Sequence, residues 1–172
     1  GADAFTVYDG FEANSVGSTP VAPVPDPGYW SKYAGNPVIP NGFGSTFFDS
    51  STGIYHNFVS YGTILHYTSP DGINWTPDTA HNPVLTPPQT WEGDNGGVPM
   101  AWKEGATWYM LYRAGSPNVI GLATSTDAVT WTHRDQPVLV GDPGAWDSVA
   151  LDPWCVIKAG DTYYMWYNTI GG

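Results

Sequence analysis

Positive charge is scarce: Lys and Arg number five against sixteen Asp and Glu, a formal net charge of −11. Phosphate recognition needs clustered cations, so nucleic acid is excluded as a partner. An anionic membrane surface is disfavoured on the same ground. Cysteine is limited to Cys155, which rules out an intramolecular disulfide. In the apolar run Trp154-Cys155-Val156-Ile157 it reads as a buried strand residue rather than a nucleophile. No run is long and apolar enough to span a bilayer, and no signal peptide is recognisable. No stretch keeps a 3.6-residue apolar period, so no helix is expected. Without a Gly-rich loop leading into a helix, nucleotide binding has no support. No pair of histidines has the spacing of metal ligands, and no metal site is expected.

What the chain does have is nine Trp, eleven Tyr, 21 Gly and 16 Pro, with 41% hydrophobic and 12% charged residues. That balance argues for a packed core, made of short strands and tight turns. A neutral partner such as a glycan suits this composition. No cofactor is called for, although carboxylates in such number leave a structural calcium open. Few lysines beside abundant Gly, Thr, Ser and Trp lean towards a secreted, extracellular protein.

The strongest signal is internal repetition. Asn36-Pro37-Val38-Ile39, Asn82-Pro83-Val84-Leu85 and Gln136-Pro137-Val138-Leu139 recur 46 and 54 residues apart, each preceded by a tryptophan (Trp30, Trp75, Trp131). Thr68-Ser69-Pro70-Asp71-Gly72 returns as Thr124-Ser125-Thr126-Asp127-Ala128. Trp108-Tyr109-Met110-Leu111-Tyr112 returns as Tyr163-Tyr164-Met165-Trp166-Tyr167, and Trp91-Glu92 as Trp146-Asp147. The middle unit decodes as strands over Val98–Lys103, Thr107–Ala114, Val119–Thr124 and Thr130–His133. Glu104-Gly105-Ala106 turns the first hairpin, and Asp-Gly or its equivalent turns the last. A repeated four-stranded antiparallel meander predicts an all-β fold, a β-propeller with about two and a half blades.

Residues 29–172 form the repeat domain. Residues 1–28 precede it, with a strand at Phe5-Thr6-Val7-Tyr8 and a stiff Pro-rich linker from Pro20 to Pro27. Closed propellers have about four blades or more. The expectation is therefore a longer polypeptide, or sheet edges paired with other protein chains.

With these motifs in view, the repeat resembles the five-bladed propeller glycosidases, a superfamily of arabinanases, xylosidases, fructosidases and mannoside phosphorylases. The resemblance rests on Ile120-Gly121-Leu122-Ala123-Thr124-Ser125-Thr126-Asp127, on the tryptophan four residues later, and on Gln136-Pro137-Val138-Leu139. Asp152-Pro153 with Val156 to Tyr167 is similar to the blade-opening segment of that group. The resemblance implies a glycan held over the central funnel at the entry ends of the innermost strands, and two-carboxylate chemistry there. It singles out Asp152, Asp94 and Glu92 as candidate catalytic carboxylates. Asp147 and the aromatic platforms Trp91, Trp146 and Trp154 are candidate substrate contacts. The first blade, Asn41 to Phe48, has no carboxylate where the family's general base usually enters. Bland readings compete at each position: Asp94 suits a Gly-rich turn, and Glu92 and Asp147, both following Trp, suit scaffold roles. Asp71 and Asp127 read as turn residues. Two functions stay open: a glycan-processing enzyme, or a non-catalytic glycan-binding or structural module of an extracellular assembly.

Overall fold

The computed structural model describes residues 34–39, 43–60, 62–86, 90–93, 96–115 and 119–170. The N-terminal strand, the Pro-rich linker, Trp30 and the candidate Asp94 lie outside the described residues. The chain divides into two units, Gly1–Asn36 and Pro37–Gly172, and every described strand belongs to the second.

Blade 1 is a four-stranded meander of β1 (Phe43–Asp49), β2 (Ile54–Ser60), β3 (Ile64–Ser69) and β4 (Thr76–Pro77). Blade 2 repeats it with β5 (Gly97–Glu104), β6 (Thr107–Ala114), β7 (Val119–Ser125) and β8 (Thr132–His133). Here β9 (Leu139–Val140) adds to the near end of β7. Blade 3 consists of one hairpin, β10 (Ala150–Ala159) and β11 (Thr162–Ile170). The expected propeller of about two and a half blades is what the chain forms. The expected strand bounds in blade 2 shift by two residues at most, and the one helical element described is the 3-10 turn Thr90–Glu92.

Local chemistry explains the repeat. In blade 1 the Ser69 hydroxyl donates to Asp71 Oδ1 (2.9 Å), which also accepts the amides of Ile73 and Asn74 (2.9 and 2.7 Å). Trp75 closes the turn through Nε1 to the Gly72 carbonyl at 3.0 Å. Blade 2 reproduces this lock with Ser125, Asp127 and Trp131, and Ala128 takes the left-handed position of Gly72 at φ 64°. These bonds hold the Asp71 and Asp127 carboxylates far below the usual range, Asp127 to about 2, through backbone amides first. The Pro-Val-Leu segments are connectors: Val84 and Val138 donate to the carbonyls of Ile64 and Ile120 on the third strands.

Alternation along β5 and β6 gives blade 2 two apolar faces. One buries Ala101, Trp108, Met110 and Tyr112 against Phe58 and Ile64 of blade 1. The other sets Trp102 and Leu111 against Leu151, Val156 and Met165 of blade 3. Cys155 departs from the sequence expectation: it is exposed, because it shares with Trp166, Ile157 and Tyr164 the face of the β10–β11 hairpin turned away from blade 2.

Candidate functional site

The innermost strands β1, β5 and β10 are neighbours, with β5 in the middle. The Ser45 hydroxyl on β1 accepts the Ala101 amide on β5 at 3.0 Å. Residues at their entry ends therefore converge. There β5 is irregular: its register with β6 shifts between Gly97 and Met100, and Val98 sits at φ 45°. Left-handed backbone is costly for a β-branched residue and persists only where its surroundings impose it.

Asp152 lies on β10 at this end, 3% exposed. Its Oδ1 accepts from Arg113 Nη1 at 2.9 Å. Arg113 belongs to β6, the second strand of blade 2, and reaches Asp152 by crossing β5 at Gly97, its register partner. A side chain at Gly97 would start 3.4 Å from Arg113 Nη2 and 3.3 Å from the Ser60 hydroxyl. The site thus joins Ser60 (β2), Gly97 (β5), Arg113 (β6) and Asp152 (β10), with Trp154 two residues on. Trp154 is the residue unmatched in the β10 bulge between Pro153 and Cys155, and it is 60% exposed. A bulge re-aims its extra side chain out of the strand's alternation.

The other predicted residues occupy different surroundings. Glu92 is fully buried; the Tyr112 hydroxyl donates to its Oε1, and His133 Nδ1 lies 2.8 Å from the same oxygen. Gly121 makes this arrangement fit, since a Cβ there would sit 2.5 Å from the Tyr112 ring. Burial first, and the neighbouring Glu92 second, push the Tyr112 hydroxyl far above its usual range, so it stays a donor. Asp147 shows the same plan one blade on. Its Oδ2 accepts from Tyr167, the repeat equivalent of Tyr112, and its Oδ1 from the Asp142 amide, both at 3.3 Å. An acid before the first strand that takes a tyrosine from the second is thus a scaffold element shared by both blades. The paired tryptophans fit it too. Trp91 packs on the core and donates to the Asp135 carbonyl at 2.9 Å. Trp146, 61% exposed, stacks on Tyr167 with centroids 5.5 Å apart.

The structure therefore brings Asp152 to the funnel end, places Trp154 nearby, and sets Glu92 and Asp147 in tyrosine-bonded loops. Sequence reasoning missed Arg113 and Ser60. Five cations in the whole chain was the available signal, because an arginine inside an apolar strand needs a nearby anion. Among the described residues no group of three or more His, Cys, Asp or Glu is placed to hold a metal ion. Cavities elsewhere among the described residues include an apolar one of 380 Å³ between blades 2 and 3 and a polar one of 320 Å³ lined by Thr107, Thr124, Asp127 and Thr130.

No protein-family model matches the sequence, and no curated protein matches it. Solved structures do. An α-L-arabinanase of Cellvibrio cellulosa superposes with a TM-score of 0.55 at 16% identity, covering 71% of this chain and 42% of the other. A β-1,2-mannobiose phosphorylase from Listeria innocua gives 0.57 at 19% identity, covering 72% and 35%. An exo-1,5-α-L-arabinanase from a bovine ruminal metagenomic library gives 0.55 at 20% identity, covering 75% and 47%. The chain spans less than half the length of each of these three. The fold it shares with them is that of the propeller glycosidases.

Proposed function

We propose that this glycosidase-like propeller binds a neutral glycan at the entry ends of β1, β5 and β10, and that the whole protein cleaves it. The observation that carries the reading is the Arg113–Asp152 pair, its carboxylate buried and its guanidinium half-buried, beside the left-handed Val98 of β5, where a scaffold alone has no need of either. Glycoside cleavage takes two carboxylates across the bond. Asp152 supplies one at this site, and Asp94, just ahead of β5, is the candidate for another. Trp154 offers an aromatic face for the apolar side of a sugar ring. Further support comes from a Cellvibrio arabinanase of this fold, solved in complex with arabinohexaose. The net charge of −11 turns the same surface against anionic polymers, which suits an extracellular polysaccharide.

The test is a panel of arabinan, xylan, fructan and mannan oligosaccharides offered to the full polypeptide, with binding and cleavage both measured. Binding by the unaltered protein that Asp152→Ala abolishes is the expected result. A protein inert towards the whole panel would sink the reading. A second reading, a glycan-binding module without turnover, is favoured by one fact: Asp152 is the single carboxylate that the described residues bring to the funnel end. Binding without cleavage, unaffected by Asp94→Ala, would select it.

A further inference from the structure

Arg113 stands on a second strand, where side chains ordinarily fill the space between blades and do not face the funnel. Two departures in β5 let it through: glycine at position 97, opposite it in register, and the register shift with left-handed Val98. Its guanidinium passes beside the Gly97 Cα and ends on Asp152, and the side chain remains 30% exposed where that of Asp152 is 5%. A guanidinium carries five N–H donors in a fixed plane. Among the described residues the Arg113 guanidinium makes one hydrogen bond, through Nη1 to Asp152. The described lysines are committed elsewhere, Lys103 to Asp49 and Lys158 to Glu104, and Arg134 lies beyond the outer strand β8.

We infer that Arg113 and Asp152 form a clamp for two adjacent ring hydroxyls of a neutral sugar, with the arginine donating to a hydroxyl oxygen and the aspartate accepting from a hydroxyl. The inference rests on the glycan reading above and names the contact that reading lacks. A neutral diol suits the site better than a sugar carboxylate or a phosphate. The charge of Arg113 is already matched by Asp152, and the field of a protein with net charge −11 opposes an anionic ligand. Gly97 is a positioning residue in this device, because any side chain there meets the guanidinium.

The experiment compares the full polypeptide with Arg113→Met, Arg113→Lys and Gly97→Ala on whichever neutral oligosaccharide the panel identifies. Affinity is read by calorimetry, and KM and kcat separately where there is turnover. The probes also include the monodeoxy analogues of the bound sugar and the matching uronic acid, and each variant's melting temperature checks its folding. Arg113→Met is expected to weaken binding about 10- to 100-fold, the value of one or two charge-assisted hydrogen bonds. Arg113→Lys should recover only part of that, since an ammonium lacks the planar fork. Gly97→Ala should weaken binding several-fold, and one deoxy analogue should bind the unaltered protein as poorly as Arg113→Met binds the full sugar. Unchanged affinity in folded Arg113→Met overturns the clamp and leaves the glycan reading standing. If that variant does not fold, unchanged affinity in Arg113→Lys and Gly97→Ala together decides the same way. Arginine-dependent binding that is tighter for the uronic acid than for the neutral sugar overturns the assignment of a neutral diol. A native protein that binds no glycan removes the glycan reading and the clamp with it.

Discussion

The first hairpins of blade 2 and blade 3 pair in the same register with apolar residues at matched positions, and differ in what lies against them. In blade 2, Trp102 and Leu111 pack with Val156 and Met165 of the next blade, and Tyr109 stacks on Trp102 with centroids 5.2 Å apart. Their repeat equivalents in blade 3 are Ile157, Trp166 and Tyr164, which are 51%, 53% and 50% exposed. Similar local sequence therefore gives a face covered by the next blade in one case and a face that no described residue covers in the other. Blade geometry is written in each meander, whereas burial is supplied by the neighbour. The sharpest way to break the comparison is to truncate both sides of it. Leu111→Ala removes a side chain that is 6% exposed and should cost about 3 kcal/mol in urea denaturation. Trp166→Ala, at the matched position, should cost less than about 1 kcal/mol despite deleting the larger group. Equal costs would show that the two faces are covered alike.

Acid separates the blades next. All four histidines precede blade 3 in sequence, and two meet near the boundary of blades 1 and 2. His56 Nδ1 lies 2.9 Å from His66 Nε2, and the His56 ring lies 4.7 Å from that of Trp108. Burial first, then His56, lowers His66 to about 4, with Asp78 acting in the opposite sense, and burial lowers His56 as well. A histidine depressed in the fold binds fewer protons than it does unfolded. Its contribution is complete above pH 6.5 and is lost as pH falls from there to about 4. The loss for His66 approaches about 3 kcal/mol at the acid end. Hydrogen exchange followed from pH 7 to pH 4 should loosen β2 and β3 before β10 and β11. The reverse order would contradict the assignment.

The tyrosine–acid pairs sharpen the comparison at smaller amplitude. Tyr112→Phe withdraws a donor from fully buried Glu92 and should cost about 2 kcal/mol. Tyr167→Phe, at the matched position, should cost less in melting temperature, because the bond it removes is 3.3 Å long and Asp147 keeps the one it accepts from the Asp142 amide.

Much of this architecture was legible because it is local. The Ser-x-Asp turns, the tryptophan that closes each of them and the Pro-Val-Leu connectors all act within a few residues, so the sequence displays them and their repetition discloses the blade. The site was legible only where a strand entry announced itself, as at Asp152-Pro153. Arg113 was hidden, because its role depends on a glycine 16 residues earlier and a carboxylate 39 residues later. No short-range pattern records such a convergence. Cys155 was misplaced for a related reason: an apolar run reveals strand character, but which face has a neighbour is decided outside the strand. Glu92 and Asp147 became intelligible only when their matched tyrosines were seen at hydrogen-bond distance.

The smallest expected difference concerns the cations that tie each blade to the one before it. Lys103 on β5 reaches Asp49 of blade 1 at 2.6 Å, and Lys158 on β10 reaches Glu104 of blade 2 at 2.7 Å, so one latch occurs at both boundaries. The settings differ. The Asp49 side chain is 6% exposed and that of Lys103 17%, against 29% and 43% for Glu104 and Lys158. Lys103, and then the Ser51 hydroxyl, hold the Asp49 carboxyl far below its usual range. Lys158, and then the Tyr163 hydroxyl, lower the Glu104 carboxyl in a setting open to water and salt. Lys103→Met should therefore lower stability by about 1 kcal/mol near neutral pH and make stability fall less steeply in acid, since the pair it removes is lost on protonation anyway. Lys158→Met should be silent in thermal melts at physiological salt, its methylenes still covering the Tyr163 ring, over which the ammonium now sits 4.8 Å from the centroid. Were Lys158→Met as costly as Lys103→Met, the outer boundary would be as dry as the inner one, and the contrast between the two blades would fail at its weakest contact.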